Sequence, residues 1–362
     1  ALSNAGGGFK DKEDFFALDV DTHVYDSFLT AIKFGTKFRN RSNDTISTVD
    51  KTIDRMGLNL ADFLAEPFTD YAFGHSGGQP SVLPNIDSGL VYEAYGSELK
   101  DGVTADDVSR KSANSFIEES ISAVYLQLDF EAGRARGDFG IRIVNTDQRN
   151  EGYAVVDGTD PADAPLIVDG QKYTDYLPSL NIRYDVSDTY VVRAGLSKTM
   201  SRSPYSELSI GVRLNQAALT GVAGNPKLEP YRANQFDLSS EWYFEEGGIL
   251  SAAVFYKDVG SYVISAQVPE VINGNDFAIR TFENGAGASI MGLELAIQKN
   301  FDQLPGWLSG FGAVFNYTYS DSKTDELDNN GGVLPLEGLS ENSFNAIAFW
   351  ENDRFSARIA YN

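Results

Sequence analysis

The sequence contains no cysteine, which excludes disulfides, thiolate metal sites and cysteine nucleophiles. It also lacks any run of about 20 apolar residues, the length that a membrane-spanning helix needs. Positive charge is scarce, since 29 lysines and arginines stand against 52 aspartates and glutamates and give a formal net charge of -23. So acidic a surface argues against nucleic acid as a partner, because little of it would neutralise phosphate groups.

Aromatic residues and glycine are plentiful instead. The 362 residues include 23 phenylalanines, 18 tyrosines and 34 glycines, a mixture that favours strands and turns over helices. The length is enough for one large domain or two ordinary ones.

Strict alternation of apolar and polar residues recurs along the chain. In residues 284–301, "NGAGASIMGLELAIQKNF", Leu293, Leu295 and Ile297 share one face while Glu294 and Gln298 share the other. About twelve such strands are predicted, most of them 9 residues or longer, as is normal for tilted membrane strands. Alternation alone fits both a soluble sandwich, with the apolar face on a core, and a membrane barrel, with that face on lipid.

Tight and long connections largely alternate between these strands. The tight ones are predicted at 131–138, 185–189, 245–248 and 351–354, and the long ones at 41–117, 147–171, 203–229, 266–284 and 320–337. Outer-membrane barrels are built in this way, with short periplasmic turns and long outer loops. Aromatic residues near strand ends predict interfacial girdles; examples are Tyr173, Tyr176, Trp242, Trp307 and Trp350.

Several stretches also resemble the barrel of TonB-dependent outer-membrane receptors. "NPKLEPYRANQFDLSSEWYF" (225–244) is similar to the family's Asn-Pro-x-Leu-x-Pro-Glu stretch, with Tyr231 where the family usually has Glu. "SKTMSRSPYSEL" (197–208), residues 284–301 and "GLSENSFNAIAFWENDRFSARIAYN" (338–362) resemble neighbouring family stretches in the family's order. The resemblance covers most of 116–362 and is strongest to the proteobacterial subgroup associated with carbohydrate uptake.

The resemblance implies an all-β fold, an antiparallel transmembrane β-barrel with long extracellular loops and short periplasmic turns. Residues 1–362 are interpreted as one partial barrel domain holding about twelve strands of a roughly 22-strand barrel. Its long outer loop is placed at 41–117. Neither a plug domain nor a TonB-contacting box is found in these residues, so we interpret the chain as an interior segment of a receptor in a Gram-negative outer membrane.

The function implied by the resemblance is TonB-dependent uptake of a scarce solute, of the carbohydrate or iron-siderophore class. The partners implied are TonB, a plug domain, the small solute and outer-membrane lipid. Two other hypotheses stay open: an exported β-rich fragment that self-associates through open sheet edges, and a passive outer-membrane channel.

The polar faces of the predicted strands carry charges of both signs. Their basic residues include Lys33, Lys37, Arg39, Arg142, Arg183 and Arg193, and their acidic residues include Asp129, Asp185, Asp237, Glu241 and Glu294. We expect these side chains to line water, pair with one another and hold the plug of the receptor.

No catalytic constellation, cofactor motif or metal site stands out, so the chain is predicted not to be an enzyme. The acidic stretch "SDSKTDELDNNGG" (320–332) lacks the complete EF-hand pattern and is interpreted as a solvated loop. Weak candidates for binding a solute lie in the long loop, where aromatic rings could stack on sugar faces: Tyr71, Phe73, Tyr92 and Tyr95.

Overall fold

A computed structural model shows a chain built mainly from β-strands. It describes residues 2–25, 27–53, 64–69, 82–87, 90, 93–94, 113–156, 163–244, 247–272, 274–326, 331–336 and 338–362. The strands in these ranges are β1 (Leu2–His23), β2 (Leu29–Ile53), β3 (Leu64–Thr69), β4 (Val82–Ile86), β5 (Ser115–Ala132), β6 (Ala135–Val156), β7 (Leu166–Ser187), β8 (Tyr190–Ser201), β9 (Val212–Asn215), β10 (Thr220–Ala223), β11 (Tyr231–Tyr243), β12 (Ile249–Val259), β13 (Val263–Ile272), β14 (Asn275–Asn284), β15 (Ala288–Asn300), β16 (Phe311–Thr324), β17 (Asn342–Glu351) and β18 (Ser356–Tyr361). Short helical segments include α1 (Tyr205–Leu208) and a 3-10 helix (Gly306–Gly310). Within the same ranges, no helix has the length and apolar character needed to cross a membrane.

Twelve of these strands form one continuous antiparallel sheet, which we call the wall. Its order is β1-β2-β5-β6-β7-β8-β11-β12-β15-β16-β17-β18. Each wall strand therefore pairs with the wall strands before and after it in the chain, as in an up-and-down barrel. The prediction of about twelve antiparallel barrel strands is confirmed.

The two ends of the wall differ in their connections. At the tight-turn end the linking segments are 24–28, 133–134, 188–189, 244–248, 301–310 and 352–355. At the long-connection end they are 54–114, 157–165, 202–230, 260–287 and 325–341. The structure thus has the predicted alternation of short turns and long connections with two exceptions. The connection 301–310 at the tight-turn end has ten residues, and the loop predicted over 147–171 is reduced to 157–165 because β6 continues to Val156 and β7 begins at Leu166.

Several wall strands are longer than a membrane requires. At about 3.3 Å per residue, the 22 residues of β6 extend roughly 70 Å, more than twice the thickness of a bilayer's hydrocarbon core. A strand of this length would extend beyond the hydrocarbon core of a bilayer. The loop predicted over 41–117 begins with strand residues, because β2 continues to Ile53, and most of 54–112 lies outside the described residues.

Strand register puts apolar side chains together on one face of the wall. One line of paired residues, which we call the apolar row, crosses eight neighbouring strands and consists of Ile32, Leu128, Phe139, Leu180, Leu196, Phe236, Tyr256 and Met291. Its members are not packed into a core, since Leu196 is 49% exposed and Met291 46%. Leu295 and Ile297 lie on the same face and are also exposed. An exposed apolar band of this extent is typical of a surface that meets lipid.

The neighbouring residue on each strand points to the opposite face, which is polar. On seven strands the corresponding line, the polar row, consists of Lys33, Gln127, Gly140, Ser179, Ser197, Gln235 and Lys257. On the eighth strand, β15, the line ends at the apolar Ile290. On this face Phe255 pairs with Gly292, and a Cβ at Gly292 would overlap the Phe255 ring. The glycine of the "MGLEL" stretch therefore leaves room for a cross-strand aromatic side chain.

A second, smaller sheet lies at the long-connection end. It has the order β6-β9-β10-β14-β13, with β9 parallel to the last residues of β6 and β10 parallel to β14. One face of this small sheet carries a buried cluster of Leu214, Phe277 and Ile279. The sequence prediction treated 203–229 and 266–284 as polar loops, but short strands within both pair with each other and with the wall.

Candidate functional site

The polar face of the wall, which we call the charged face, carries a group of ion pairs near the tight-turn end. Lys33 Nζ lies 2.6 Å from Asp129 Oδ2 across β2 and β5, and Arg183 Nε lies 2.7 Å from Asp185 Oδ1 within β7. Across β8 and β11, Arg193 donates to both carboxylate oxygens of Glu241. We call these paired residues, together with Arg136 and Asp138, the charged floor.

The charged floor surrounds an open cavity of about 740 Å³. Arg136 and Asn181 bind its acidic members, since Arg136 Nη2 lies 3.4 Å from Asp185 and Asn181 donates to Asp138 at 3.0 Å. These groups are partly exposed to solvent, so each pair contributes at most about 1 kcal/mol to stability. Their number and mixed sign suit them to meeting a complementary polar surface. The remaining predicted charges share this face by register; they are Lys37, Arg39, Arg142, Asp237 and Glu294.

Nearer the long-connection end, the same face holds a buried polar network centred on Arg202. This residue follows β8 directly and donates to Thr146 Oγ1 at 2.8 Å and to the Tyr173 hydroxyl at 3.2 Å. Its Nε also lies 4.0 Å from the carboxylate of Glu119, a side chain that is 3% exposed. Arg202 therefore joins three wall strands, β5, β6 and β7, at the point where the chain leaves the wall.

Tyr205 of α1 completes the shell around Glu119. Its hydroxyl donates to Glu119 Oε2 at 2.8 Å, and the guanidinium of Arg41 lies 5.0 Å from its ring centre. Burial, followed by the neighbouring Glu119 carboxylate, raises the pKa of Tyr205, so its hydroxyl stays protonated and remains a donor. The buried carboxylate is thus stabilised by a phenol and an arginine from residues 202–230.

Arg232 makes the matching contact where the chain returns to the wall. Its Nε lies 2.5 Å from Oδ1 of Asp175, a β7 side chain that is 1% exposed. The same guanidinium lies 2.6 Å from Glu229 and 5.8 Å from the centre of the Tyr173 ring. Tyr173 is therefore contacted by Arg202 from one end of the 202–230 connection and by Arg232 from the other.

Between these two arginines, the connection folds back over the charged face. Leu208 and Leu228 are each 2% exposed and pack in one cluster with Ile117 of β5. Asn150 of β6 donates to the carbonyl of Leu208 at 3.2 Å, and Gln171 of β7 donates to that of Leu228 at 2.5 Å. These contacts cover the upper part of the charged face with residues of the connection.

The Asn-Pro-x-Leu-x-Pro stretch fastens this cover to the small sheet. Asn225 Nδ2 donates to the carbonyl of Phe282 at 2.9 Å, while its Oδ1 accepts from the backbone N–H of Lys227 at 2.8 Å. The backbone N–H of Glu229 donates to Asn284 Oδ1 at 3.0 Å. This stretch therefore links the 202–230 connection to β14.

Sequence reasoning found the charged face but missed the network above it. Tyr173 was predicted to belong to an aromatic girdle, which is wrong, because it lies on the charged face and accepts from Arg202. The signal that could have identified the region is that Arg202 and Arg232 are the arginines inside the two quoted family stretches, 197–208 and 225–244. The candidate solute-binding aromatics Tyr71, Phe73, Tyr92 and Tyr95 lie outside the described residues and stay predictions.

Comparison with known proteins agrees with this geometry. Residues 3–362 match the family described as TonB dependent receptor-like, beta-barrel. The chain has no significant match among curated protein sequences.

Solved structures show the same fold at low sequence identity. The ferric-catecholate import receptor of E. coli K12 matches with a TM-score of 0.58 at 13% identity, covering 97% of this chain and 44% of that one. A ferric enterobactin receptor mutant from Pseudomonas aeruginosa, solved with enterobactin, matches with a TM-score of 0.55 at 15% identity, and the match covers 97% of this chain and 41% of that one. The unliganded ferric citrate transporter matches with a TM-score of 0.57 at 13% identity, and the match covers 98% of this chain and 42% of that one. The chain thus spans less than half the length of these structures.

Proposed function

Because the chain belongs to the TonB-dependent receptor-like β-barrel family, we propose that it forms part of the wall of an outer-membrane receptor for active solute uptake. Members of this family are transporters rather than enzymes, and they reside in the outer membrane of Gram-negative bacteria. We propose the same location for this protein.

One observation carries the proposal, namely the two-faced wall. The exposed apolar row lies one residue away from the polar row on each of seven strands, so the two faces must meet different surroundings. Lipid outside and water inside satisfy both faces at once, whereas a soluble sandwich would bury the apolar one. In this orientation the long-connection end faces the cell exterior and the tight-turn end faces the periplasm.

We propose that the charged floor receives a plug domain. Its ion pairs present donors and acceptors of both signs towards the interior, which suits a polar and reversible contact. Weak individual pairs are appropriate there, since the plug must rearrange when TonB acts on it. The cover formed by 202–230 would then narrow the outer mouth above the plug.

The solute proposed is an oligosaccharide or a ferric siderophore. The sequence stretches that resemble the carbohydrate-uptake subgroup support the first class. The names of the structural relatives, which include ferric enterobactin and ferric catecholate receptors, support the second. Tyr71, Phe73, Tyr92 and Tyr95 are proposed as outer-loop contacts for a sugar ligand.

The test is solute uptake by cells that carry or lack the gene, with and without an active TonB system. We expect radiolabelled solute to accumulate only when the receptor and TonB are both present. Accumulation that persists after TonB is deleted would indicate a passive channel instead. A protein found with its apolar row shielded from lipid-soluble photolabels would contradict the membrane orientation.

Self-association is a second candidate, favoured by the edges of the wall. Among the described strands, β1 pairs only with β2 and β18 only with β17. Each of these outer edges can pair with a strand from a further part of the same wall or with a strand of a second copy. Cysteines placed at Phe16 and Ile359 would test this idea, because crosslinking between two differently tagged copies would support self-association. Crosslinks confined to single copies would exclude it.

A further inference from the structure

The apolar face of the wall carries a groove near the tight-turn end. Its floor is formed by Ser240 of β11 and Ala252 of β12, which are register partners. Each lies four residues from the member of the apolar row on its own strand, so both point to the same side as that row. The next pair above them on this face, Leu238 and Val254, is larger and exposed. The two short side chains therefore leave a depression in the apolar face.

Larger side chains enclose this groove towards the tight-turn end. Trp242 pairs with Tyr190 on one side and with Leu250 on the other. The Tyr190 hydroxyl lies 2.8 Å from Ser240 Oγ, so the phenol crosses from β8 to β11 along the groove. The groove has a volume of about 490 Å³, and its lining is completed by Ser187 and Thr189. A space of this size and apolar character can seat one hydrocarbon chain.

The rim of the groove is polar where β7 turns into β8. A register shift between Asp185 and Ser187 brings Ser187 opposite Tyr190, and therefore onto the groove side of the wall. The hydroxyl of Ser187 lies 3.4 Å from that of Thr189. Hydroxyl groups thus stand at the end of an otherwise apolar depression.

Two charges of opposite sign lie beside these hydroxyls. Arg134, in the turn between β5 and β6, is exposed and donates to the carbonyl of Val186 at 2.6 Å, one residue before the groove lining. Asp188 is exposed in the turn between β7 and β8 itself. A headgroup at this rim would meet one guanidinium and one carboxylate.

From this juxtaposition of an apolar groove with a rim of mixed charge, we propose that the groove binds one phospholipid with a zwitterionic phosphoethanolamine headgroup. One acyl chain lies over Ser240 and Ala252. The guanidinium of Arg134 and the rim hydroxyls donate to the phosphate, while the carboxylate of Asp188 accepts from the ammonium. The groove is continuous with the apolar row, so the second acyl chain stays in the surrounding bilayer.

The inference rests on the membrane orientation proposed above, in which the tight-turn end faces the periplasm. It adds that the wall retains one particular lipid of the periplasmic leaflet, in addition to its general contact with the bilayer.

The test follows the fluorescence of Trp242, in a protein whose other two tryptophans are removed by Trp307→Phe and Trp350→Phe. Bromine atoms on an acyl chain quench a tryptophan that they contact. The protein is reconstituted in phosphatidylcholine vesicles that contain a small fraction of brominated phosphatidylethanolamine. We expect half of the quenching at a mole fraction about tenfold lower than random mixing gives, because the charge-assisted contacts select this headgroup.

Ala252→Leu fills the floor of the groove. It should raise the mole fraction for half quenching about tenfold, because the bound chain loses apolar contact area. Ala346→Leu is the matched control, since it makes the same change on the same face of β17, outside the groove, and should leave quenching unchanged. Arg134→Gln should raise that mole fraction only about threefold, because exposed charge contacts are individually weak.

Several outcomes would overturn the site. These are equal effects of Ala252→Leu and Ala346→Leu, and stronger quenching by brominated phosphatidylglycerol than by brominated phosphatidylethanolamine. Native mass spectrometry of the protein with all its tryptophans is a second measurement, which does not depend on the two tryptophan replacements. One phosphatidylethanolamine should stay bound after transfer to detergent, and Ala252→Leu should lose it. Equal retention by both proteins would also overturn the site.

The quenching experiment separates this proposal from the membrane orientation on which it rests. If no brominated lipid quenched Trp242, the apolar face would not meet lipid and the orientation itself would be refuted. If every brominated phospholipid quenched Trp242 in proportion to its mole fraction, the orientation would stand and the specific site would be overturned.

Discussion

Arg232 and Asp175 form an ion pair in which the carboxylate is almost fully buried. The two residues come from β11 and β7, which are separated in the wall by β8, and their N–O distance is 2.5 Å. The contact holds the end of the 202–230 connection against the charged face. Because the Asp175 carboxylate is buried, removing its partner is expected to destabilise the protein more than removing a partner from an exposed pair of the charged floor does.

Replacing Arg232 by Ala should destabilise the protein by roughly 3 kcal/mol, because it leaves the Asp175 carboxylate buried without a countercharge. Urea denaturation of the protein refolded in vesicles measures this change. Arg193→Ala is the comparison, since Glu241 is partly exposed, and it should cost about 1 kcal/mol or less. Equal costs for the two variants would show that the Asp175 pair is as accessible to water as the floor pair.

Asp175→Asn combined with Arg232→Gln should be less destabilising than Arg232→Ala alone. The double variant removes the buried charge together with its partner, so the desolvation cost disappears with the attraction. If the double variant lost as much stability as Asp175→Asn and Arg232→Gln lose in sum when made singly, this account of the network would be contradicted.

The orientation of the wall predicts a difference between two positions of β15 that lie three residues apart on opposite faces. Leu295→Arg places a charge on the apolar face and should cost about 2 to 4 kcal/mol near the bilayer centre. Gln298→Arg, the same replacement on the charged face, should cost less than about 1 kcal/mol. The folded fraction in vesicles, read from heat-modifiable gel mobility, measures both. The reverse order would mean that the apolar face packs inward.

Glu207 should make the stability of the 202–230 cover depend on pH. Burial raises the pKa of this carboxyl above its ordinary value. A raised pKa means that the folded state favours the protonated form, so this stabilisation is full below the unfolded pKa and is lost as pH rises through the folded pKa.

Glu207→Gln should consequently raise the melting temperature near pH 8 and change it little near pH 4, where the glutamate is largely protonated. Melting curves across this range provide the measurement. Glu270→Gln, at an exposed position of β13, is the control for losing one carboxylate without burial, and it should change the melting temperature near pH 8 less than Glu207→Gln does. A stabilisation by Glu207→Gln that is constant with pH would show that Glu207 ionises as in water.

Asn225→Ala should loosen the cover without unfolding the wall. It removes both the donor to Phe282 and the acceptor for Lys227, a loss of roughly 1 to 3 kcal/mol for the turn. Limited proteolysis should then cut within 203–230 at lower protease concentration. Asn352→Ala breaks comparable turn bonds at the tight-turn end and should leave cutting of 203–230 unchanged.

Asn225→Asp separates the two bonds of this side chain. The aspartate keeps an oxygen for the Lys227 N–H but cannot donate to Phe282, so intermediate sensitivity to protease is expected. If Asn225→Asp were no more sensitive to protease than the native protein, the bond from Asn225 to Phe282 of β14 would contribute nothing to the stability of the cover.

The wall could be predicted from the sequence because its signal is local. Alternation in "MGLELAIQ" assigns Leu295 and Gln298 to opposite faces whatever their partners are. The strand register shows in addition that each face continues from one strand to the next, since Leu196 of β8 pairs with Phe236 of β11. Which face meets lipid was left open by alternation and was decided by family resemblance and by the exposure of the apolar row.

The cover and the small sheet could not be predicted because their partners are distant in sequence. Arg202 contacts Thr146, 56 residues away, and Asn225 contacts Phe282, 57 residues away. The strands β9 and β10 have four residues each, too few to show a period. Tyr173 was misassigned for the same reason, since an aromatic near a strand end gives no indication of an arginine arriving from another connection.

The order of strand pairing has a consequence for assembly of the protein. Wall strands pair with their sequence neighbours, so the wall can grow hairpin by hairpin with little loop-closure entropy to overcome. The small sheet instead joins β6 to β9, and β10 to β14, so it can close only after residues beyond 275 are in place. The small sheet therefore closes late, and until then the polar face beneath it stays open to the plug domain proposed above.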